Sequence, residues 1–207
     1  MKFTVISDTH NKHAGLELGS GDVLLHCGDF SGRGTAQQII DFNEWLGGLN
    51  FKHKIVIAGN HDFMFEKEPD KAQELLSNAA YLQDSSIVID GIKIYGSPWQ
   101  PWFFDWAFNL KRGAELAAKW AQIPEDTDIL MTHGPPMGIG DLTSRGVNAG
   151  CEDLLNRINE INPKVHCFGH IHEDSGIWEI KGTKFINASI CDLEYKALNP
   201  AYTFELS

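Results

Sequence analysis

The 207-residue sequence has no run approaching the ~18 consecutive apolar residues that a membrane-crossing helix needs, so a protein embedded in the bilayer is not expected. Positive charge is also scarce. Against 28 Asp+Glu there are only 17 Lys+Arg, a formal charge of −11. Without a basic stripe, a protein that grips long nucleic acid by its phosphates is not expected. A small anionic substrate is not excluded, because bound cations can reverse the local field. The four cysteines, Cys27, Cys151, Cys167 and Cys191, include no C-x-x-C pair and are expected to stay reduced; Cys27 and Cys167 lie in apolar runs and read as small buried hydrophobes. The opening MKFTVISDTH turns polar too early for a signal-peptide core, which leaves a cytoplasmic location as the expectation. No repeat, low-complexity tract or linker divides the chain, so residues 1–207 are expected to form a single domain.

What the chain does have is a hydrophobic fraction of 43% beside 22% charged residues, enough to bury a full core. Short apolar runs at Lys2–Ile6, Val23–His26, Lys54–Ala58, Asp128–Thr132 and Lys164–Phe168 read as buried strands. Between them, Thr35–Leu49, Arg112–Ile123 and Cys151–Ile161 carry apolar residues at helical spacing. Thr35 is a fitting cap for the first, and Asn162-Pro163 stops the last. Ser86–Gly96 around Asp90-Gly91 and Gly176–Ser189 around Lys181-Gly182 read as hairpins, with Ala201–Leu206 as a closing strand. Strands alternating with helices, plus a hairpin in each half, predict an α/β fold of two mixed sheets packed together with helices outside.

The strand ends carry the chemistry. Asp8-Thr9-His10, Gly28-Asp29, Gly59-Asn60-His61-Asp62, His133-Gly134 and Gly169-His170-Ile171-His172 each follow an apolar run. Ligand sites in α/β folds collect at such ends, and Asp, Asn and His bind divalent metals through oxygen or imidazole nitrogen. Residues two apart in extended chain point to one side, so Asp8 can share a cavity with His10, and His170 with His172. The candidates Asp8, His10, Asp29, Asn60, His133, His170 and His172 are too many for one tetrahedral ion and suit two ions sharing a carboxylate.

The ordered blocks D-x-H, G-D, G-N-H-D, H-G and G-H-x-H closely resemble the calcineurin-like metallophosphoesterase superfamily. Ser97-Pro98-Trp99-Gln100-Pro101 and Thr132-His133-Gly134-Pro135-Pro136 narrow the likeness to its metallophosphoesterase-domain-containing subgroup, akin to class III cyclic nucleotide phosphodiesterases. The resemblance implies a four-layer αββα sandwich and two divalent ions drawn from Mn, Fe, Zn or Co. It implies one ion on Asp8, His10, Asp29 and His172, and a second on Asp29, Asn60, His133 and His170. It also implies hydrolysis of a small phosphodiester, nucleotide-like or cyclic, by a metal-bound hydroxide, with His61 beside the leaving group and Asp62 taken with it as catalytic.

One departure stands out. In Gly28-Asp29-Phe30-Ser31-Gly32-Arg33-Gly34, Gly32 replaces the second acidic residue that supports the catalytic histidine in the protein-phosphatase branch, while Arg33 matches a phosphate-contacting arginine. The aromatic stretch from Trp99 to Phe108 reads either as a loop packed on a sheet edge or as a stacking wall, with Trp99 and Trp102 as candidate substrate contacts. His13, His53 and His166 read as ordinary surface or core histidines, and His26 as core or as support for the ligands. Rival readings are a nuclease or phosphomonoesterase of the same superfamily, and a nucleotide-binding regulatory protein with residual activity.

Overall fold

A computed structural model describes residues 1–207. The strands are β1 (Lys2–Ile6), β2 (Gly21–His26), β3 (Phe51–Val56), β4 (Ala80–Tyr81), β5 (Ser85–Ile89), β6 (Ile92–Ser97), β7 (Gln100–Pro101), β8 (Asn109–Leu110), β9 (Ile129–Thr132), β10 (Val165–Phe168), β11 (Gly176–Ile180), β12 (Thr183–Asn187) and β13 (Tyr202–Glu205). The helices are α1 (Ala36–Gly48), α2 (Phe63–Lys67), α3 (Pro69–Leu75), α4 (Ala114–Trp120) and α5 (Glu152–Ile161). One sheet has the order β13-β1-β2-β3-β4 and the other β11-β12-β10-β9-β6-β5. In both, the interior pairings are parallel and antiparallel strands lie at edges. These are the two mixed sheets that the sequence predicts.

Side-chain alternation explains the layering. Val23 and Leu25 of β2 face the second sheet and join Ile94, Ile129, Met131 and Ile186 in the core between the sheets. Leu24, one residue out of phase, faces the other way and packs with Ile39, Phe42 and Leu46 of α1. On the far side, Tyr95, Leu130 and Phe185 meet Leu116 and Trp120 of α4 and Leu154 and Ile158 of α5. Strands buried on both faces show continuous apolar runs, which is why the sequence marks them without a period of two.

Local signals account for the helix ends. Thr35 accepts from Gln38 N–H in a capping box, and Asn162 ends α5 in a left-handed conformation before Pro163. The predicted hairpins are β5–β6 and β11–β12, and the closing strand is β13, antiparallel to β1. The short α2 and α3, and the β7–β8 pair, give no legible period because each is two turns or less. All four cysteines are buried free thiols, and no helix is long and apolar enough to cross a membrane.

His166 lies inside the second sheet, fully buried. Thr132 Oγ1 donates to Gly134 O at 2.7 Å and therefore accepts from His166 Nε2 at 2.8 Å, while His166 Nδ1 has no partner. Burial pushes this imidazole down to about 3. The unfolded chain, near its ordinary ~6.5, takes up a proton that the folded chain refuses. Stability is therefore full above about pH 6.5 and falls as pH drops toward 3. Replacing His166 with Leu is expected to flatten the pH dependence of the unfolding free energy between pH 6 and 4 by ~1.4 kcal/mol per pH unit. Urea titrations giving equal slopes for both proteins would rule this out.

Candidate metal centre

Five strand ends converge at one edge of the sandwich: those of β1, β2, β3, β9 and β10. Asp8, His10, Asp29 and His170 adopt positive φ angles of 54°, 40°, 55° and 71°. Left-handed backbone costs roughly 1–2 kcal/mol for a residue with a side chain. Such strain collects where function holds a side chain in place. Two glycines clear the space. A Cβ at Gly169 would lie 2.0 Å from Asp8 Oδ2, and one at Gly59 would lie 2.2 Å from Asp29 Oδ1.

The ligand atoms gather in three overlapping groups, each within 4.8 Å: Asp8, His10 and His172; His10, Asp29 and His61; Asp29, His133 and His170. His10 Nε2 and His172 Nε2 stand 3.2 Å apart, and His172 Nε2 is 3.4 Å from Asp8 Oδ1. Asp29 Oδ2 is 3.4 Å from His133 Nε2 and 3.8 Å from His10 Nε2, so it faces both outer groups. Asn60 Oδ1 lies 2.9 Å from His133 Nε2. Asp8 Oδ1 is buried without any hydrogen-bond donor. Imidazole nitrogens converging on a donorless carboxylate oxygen form the kind of cradle a divalent cation fills, and the O/N donor set fits such an ion.

Backbone carbonyls orient the rings. His133 Nδ1 donates to Cys27 O at 2.9 Å, His172 Nδ1 to Asp192 O at 3.0 Å, and His61 Nδ1 to Gly32 O at 2.9 Å. Because a carbonyl only accepts, Nδ1 carries the hydrogen and Nε2 is the atom presented to the centre. Burial alone would raise the carboxyls of Asp8 and Asp29. The histidines around them outweigh it, and both are held below the ordinary carboxylate range. Burial would depress His133 and His172, but Asp29 and Asp8 respectively raise each to about 9. Burial wins at His10, pushed down to about 4, and at His170, pushed down to about 3. The two aspartates thus create a negative potential that a cation would relieve.

A cleft of about 250 Å³ lies over this centre, lined by Asp29, Asn60, His61, His170 and His172 with Phe103, Trp106 and Tyr195 above them. His61 stacks on Trp106 at 4.1 Å, and the Arg33 guanidinium rests 4.8 Å from the same indole. Tyr195 packs edge-on against His10 at 4.8 Å. Neither Trp106 nor Tyr195 was singled out by spacing. Trp106 is hidden among other aromatics, and Tyr195 sits in a loop with no pattern around it.

Two expectations meet a different geometry. Asp62 does not face the cleft: fully buried, it accepts from the N–H groups of Asp29 (2.9 Å), Ser31 (3.1 Å) and Gly59 (2.8 Å). Burial and then Asp29 push its carboxyl up to about 7. It ties the β2 and β3 loops together from behind the cleft. Trp99 is turned away from the cleft, its Nε1 donating to Asp84 at 2.8 Å and its ring against Phe108. The position left empty by Gly32 is answered by that residue's own carbonyl, which holds His61. Trp102, by contrast, lines a groove next to the cleft. His26 is core, bonded to Thr9 Oγ1 at 3.0 Å and flanked by Phe30 and Phe42.

Candidate metal-binding groups thus lie at the strand ends of a double-sheet sandwich, and comparison with known proteins shows the family. A family model described as "Calcineurin-like phosphoesterase" matches residues 1–174, and the chain belongs to that family. Metallophosphoesterase domain-containing protein 1 of Homo sapiens is 42% identical over 230 residues, covering 99% of this chain and 71% of the relative. UPF0046 protein C25E10.12 of Caenorhabditis elegans is 41% identical over 228 residues, covering 100% and 81%. The solved structure of phosphopantetheinyl hydrolase from Mycobacterium tuberculosis superimposes with a TM-score of 0.63 at 16% identity, covering 94% of this chain and 90% of that one, a likeness of fold alone.

Removing Asp62 tests its assigned role. Asp62→Ala strands three buried N–H donors, each worth roughly 1–3 kcal/mol when left unpaired. Urea unfolding is expected to show a loss of at least ~3 kcal/mol. A loss below ~1 kcal/mol would show that the loops are held by something else.

Proposed function

We propose that residues 1–207 work as one catalytic domain that hydrolyses small phosphodiesters with the help of two divalent ions. The observation that carries this reading is the shared position of Asp29 Oδ2 between the His10 and His133 nitrogens, with Asp8 and His172 on one side and His170 and Asn60 on the other. Asp8, His10, Asp29 and His172 would hold one ion; Asp29, Asn60, His133 and His170 the other. Such a pair supplies Lewis-acid activation of the attacking water and neutralises charge on the phosphoryl oxygens.

The chain's own residues do the rest. Asp29 Oδ1 accepts from His61 N–H at 2.8 Å, so the carboxylate that joins the two ligand groups also fixes the backbone of His61. With its Nδ1 hydrogen committed to Gly32 O, His61 presents Nε2 to the cleft, and as the imidazolium it can give the Nε2 proton to the departing alcohol oxygen and be left as the neutral Nδ1–H ring. Arg33, supported on Trp106, adds positive charge at the rim for the nonbridging oxygens. Phe103, Trp106 and Tyr195 shelter the reacting atoms from bulk water. Preference for a diester over a monoester is supported by the subgroup resemblance and by a carboxylate, Glu173, on the cleft wall, which disfavours a dianion. The intact pair His170 and His172 favours an active enzyme over a regulatory binder.

Two outcomes check this. Asp29→Ala is expected to lose both ions by elemental analysis, together with turnover of bis(p-nitrophenyl) phosphate; full occupancy with normal turnover would falsify the assignment. His61→Ala should keep its metal but slow esters of poor leaving groups at least ~10-fold more than nitrophenyl esters, in line with the usual range for acid catalysis. Equal slowing across a leaving-group series would exclude proton donation.

A further inference from the structure

The cleft does not end at the candidate centre. Past His170 it opens into a second groove of about 280 Å³ that shares Phe103, His170 and Glu173 with it. Pro101, Trp102, Pro135 and Ile171 give this groove flat apolar surfaces. Trp102 is 62% exposed and Phe103 50% exposed, so the two adjacent rings offer apolar surface to the groove.

Arg112 lines the same groove. Its guanidinium donates to Gly150 O at 2.6 Å and to Ala149 O at 2.8 Å, and it makes no ion pair. Two neutral acceptors fix the fork in place while its full charge and further N–H donors remain available. The loop behind it is held firmly. Asp141, buried, accepts from the N–H groups of Gly138 and Gly150, both at 2.9 Å, and a Cβ at Gly150 would strike Pro136 O at 2.3 Å. Glu173 sits at the junction of the two spaces, accepting from Ser144 N–H at 2.6 Å. A carboxylate there disfavours a second negative charge close to the reacting phosphorus, whereas Arg112 favours one farther along.

We propose that this groove is a second substrate subsite for the alcohol that the phosphorus keeps: a flat apolar group bearing a negative charge at its outer end, which meets Arg112. This rests on the phosphodiesterase reading. His61, beside the leaving oxygen, lies toward Trp106, while the groove departs from His170, so the groove faces the other ester arm. Water attacks phosphorus and the bond to the leaving alcohol breaks. That alcohol departs with a proton, and the arm in the groove remains as its phosphate monoester.

The test holds the leaving group constant. Methyl, phenyl and 4-carboxyphenyl p-nitrophenyl phosphates are compared on the Mn²⁺-loaded protein. Binding of methyl, phenyl and 4-carboxyphenyl phosphate is measured in parallel by calorimetry. Phenyl is expected to exceed methyl in kcat/KM by about tenfold, with a further severalfold fall in KM for the carboxylate. Trp102→Ala should erase the phenyl advantage. Arg112→Gln should erase only the carboxylate advantage, and Arg112→Lys should restore part of it. Equal kcat/KM for the three esters, or an Arg112→Gln loss shared by all three, would overturn the subsite. If no ester turns over, the phosphodiesterase reading fails. The calorimetry then decides the groove by itself: tighter binding of the carboxyphenyl ligand supports it, and equal binding of all three ligands refutes it.

Discussion

Burying the carboxylates of Asp8 and Asp29 in one small space is the constraint to which the rest of the strand-end architecture answers. An unpaired charge in an apolar interior costs several kcal/mol or more, so each oxygen must be met by a donor or a cation. Asp8 Oδ2 takes hydrogen bonds from His170 N–H and Ser189 Oγ, both at 2.9 Å, and Asp29 Oδ1 takes that of His61 N–H. The remaining oxygens, Asp8 Oδ1 and Asp29 Oδ2, are turned toward imidazole nitrogens. The protein thus divides each carboxylate, one oxygen for the fold and one for the centre. The glycines at 59 and 169 exist to let the backbone come that near.

The centre also lies across the seam between the two sheets. Ser7, leaving β1, pairs with the chain after β12: its N–H donates to Ala188 O, and Ile190 N–H donates to its carbonyl. Asp8, His10 and Asp29 come from one sheet, and His133, His170 and His172 from the other. Whatever binds all of them bridges the halves of the sandwich, so occupancy and the packing of the core between the sheets are thermodynamically linked.

Much of this was legible in the sequence because the signals were local. Apolar runs buried on both faces announced the central strands. Asp-x-His and His-x-His, each immediately after such a run, announced side chains that gather on a common side as candidate ligands. What escaped was set by tertiary approach. Asp62 sits in the G-N-H-D block as if it were catalytic, yet its carboxylate points back into the loops, and only the fold supplies the N–H groups it accepts. Trp99 belongs to an aromatic stretch whose members face different ways, and Asp84, distant in pattern, decides where its indole goes. Tyr195 reaches the site region from a loop with no periodic signal, and Arg112 stands just ahead of α4, at the start of a segment whose apolar spacing speaks for the helix and not for where the guanidinium goes.

The carbonyl of Gly32 holding His61 has a consequence for how this centre can fail. A carboxylate in that role would be a single point of weakness, removable by one substitution. A carbonyl belongs to the chain's path and survives any side-chain change at its own position. The vulnerability moves to whatever shapes that path, two residues on. Gly34 has a φ of +61°, and a Cβ there would lie 2.4 Å from Phe63 N and 2.7 Å from the Asp62 carbonyl carbon. Any side chain at residue 34 wedges the Gly32 loop away from the loop that carries His61. In this chain, the aim of the imidazole depends on the smallness of a residue that never touches it.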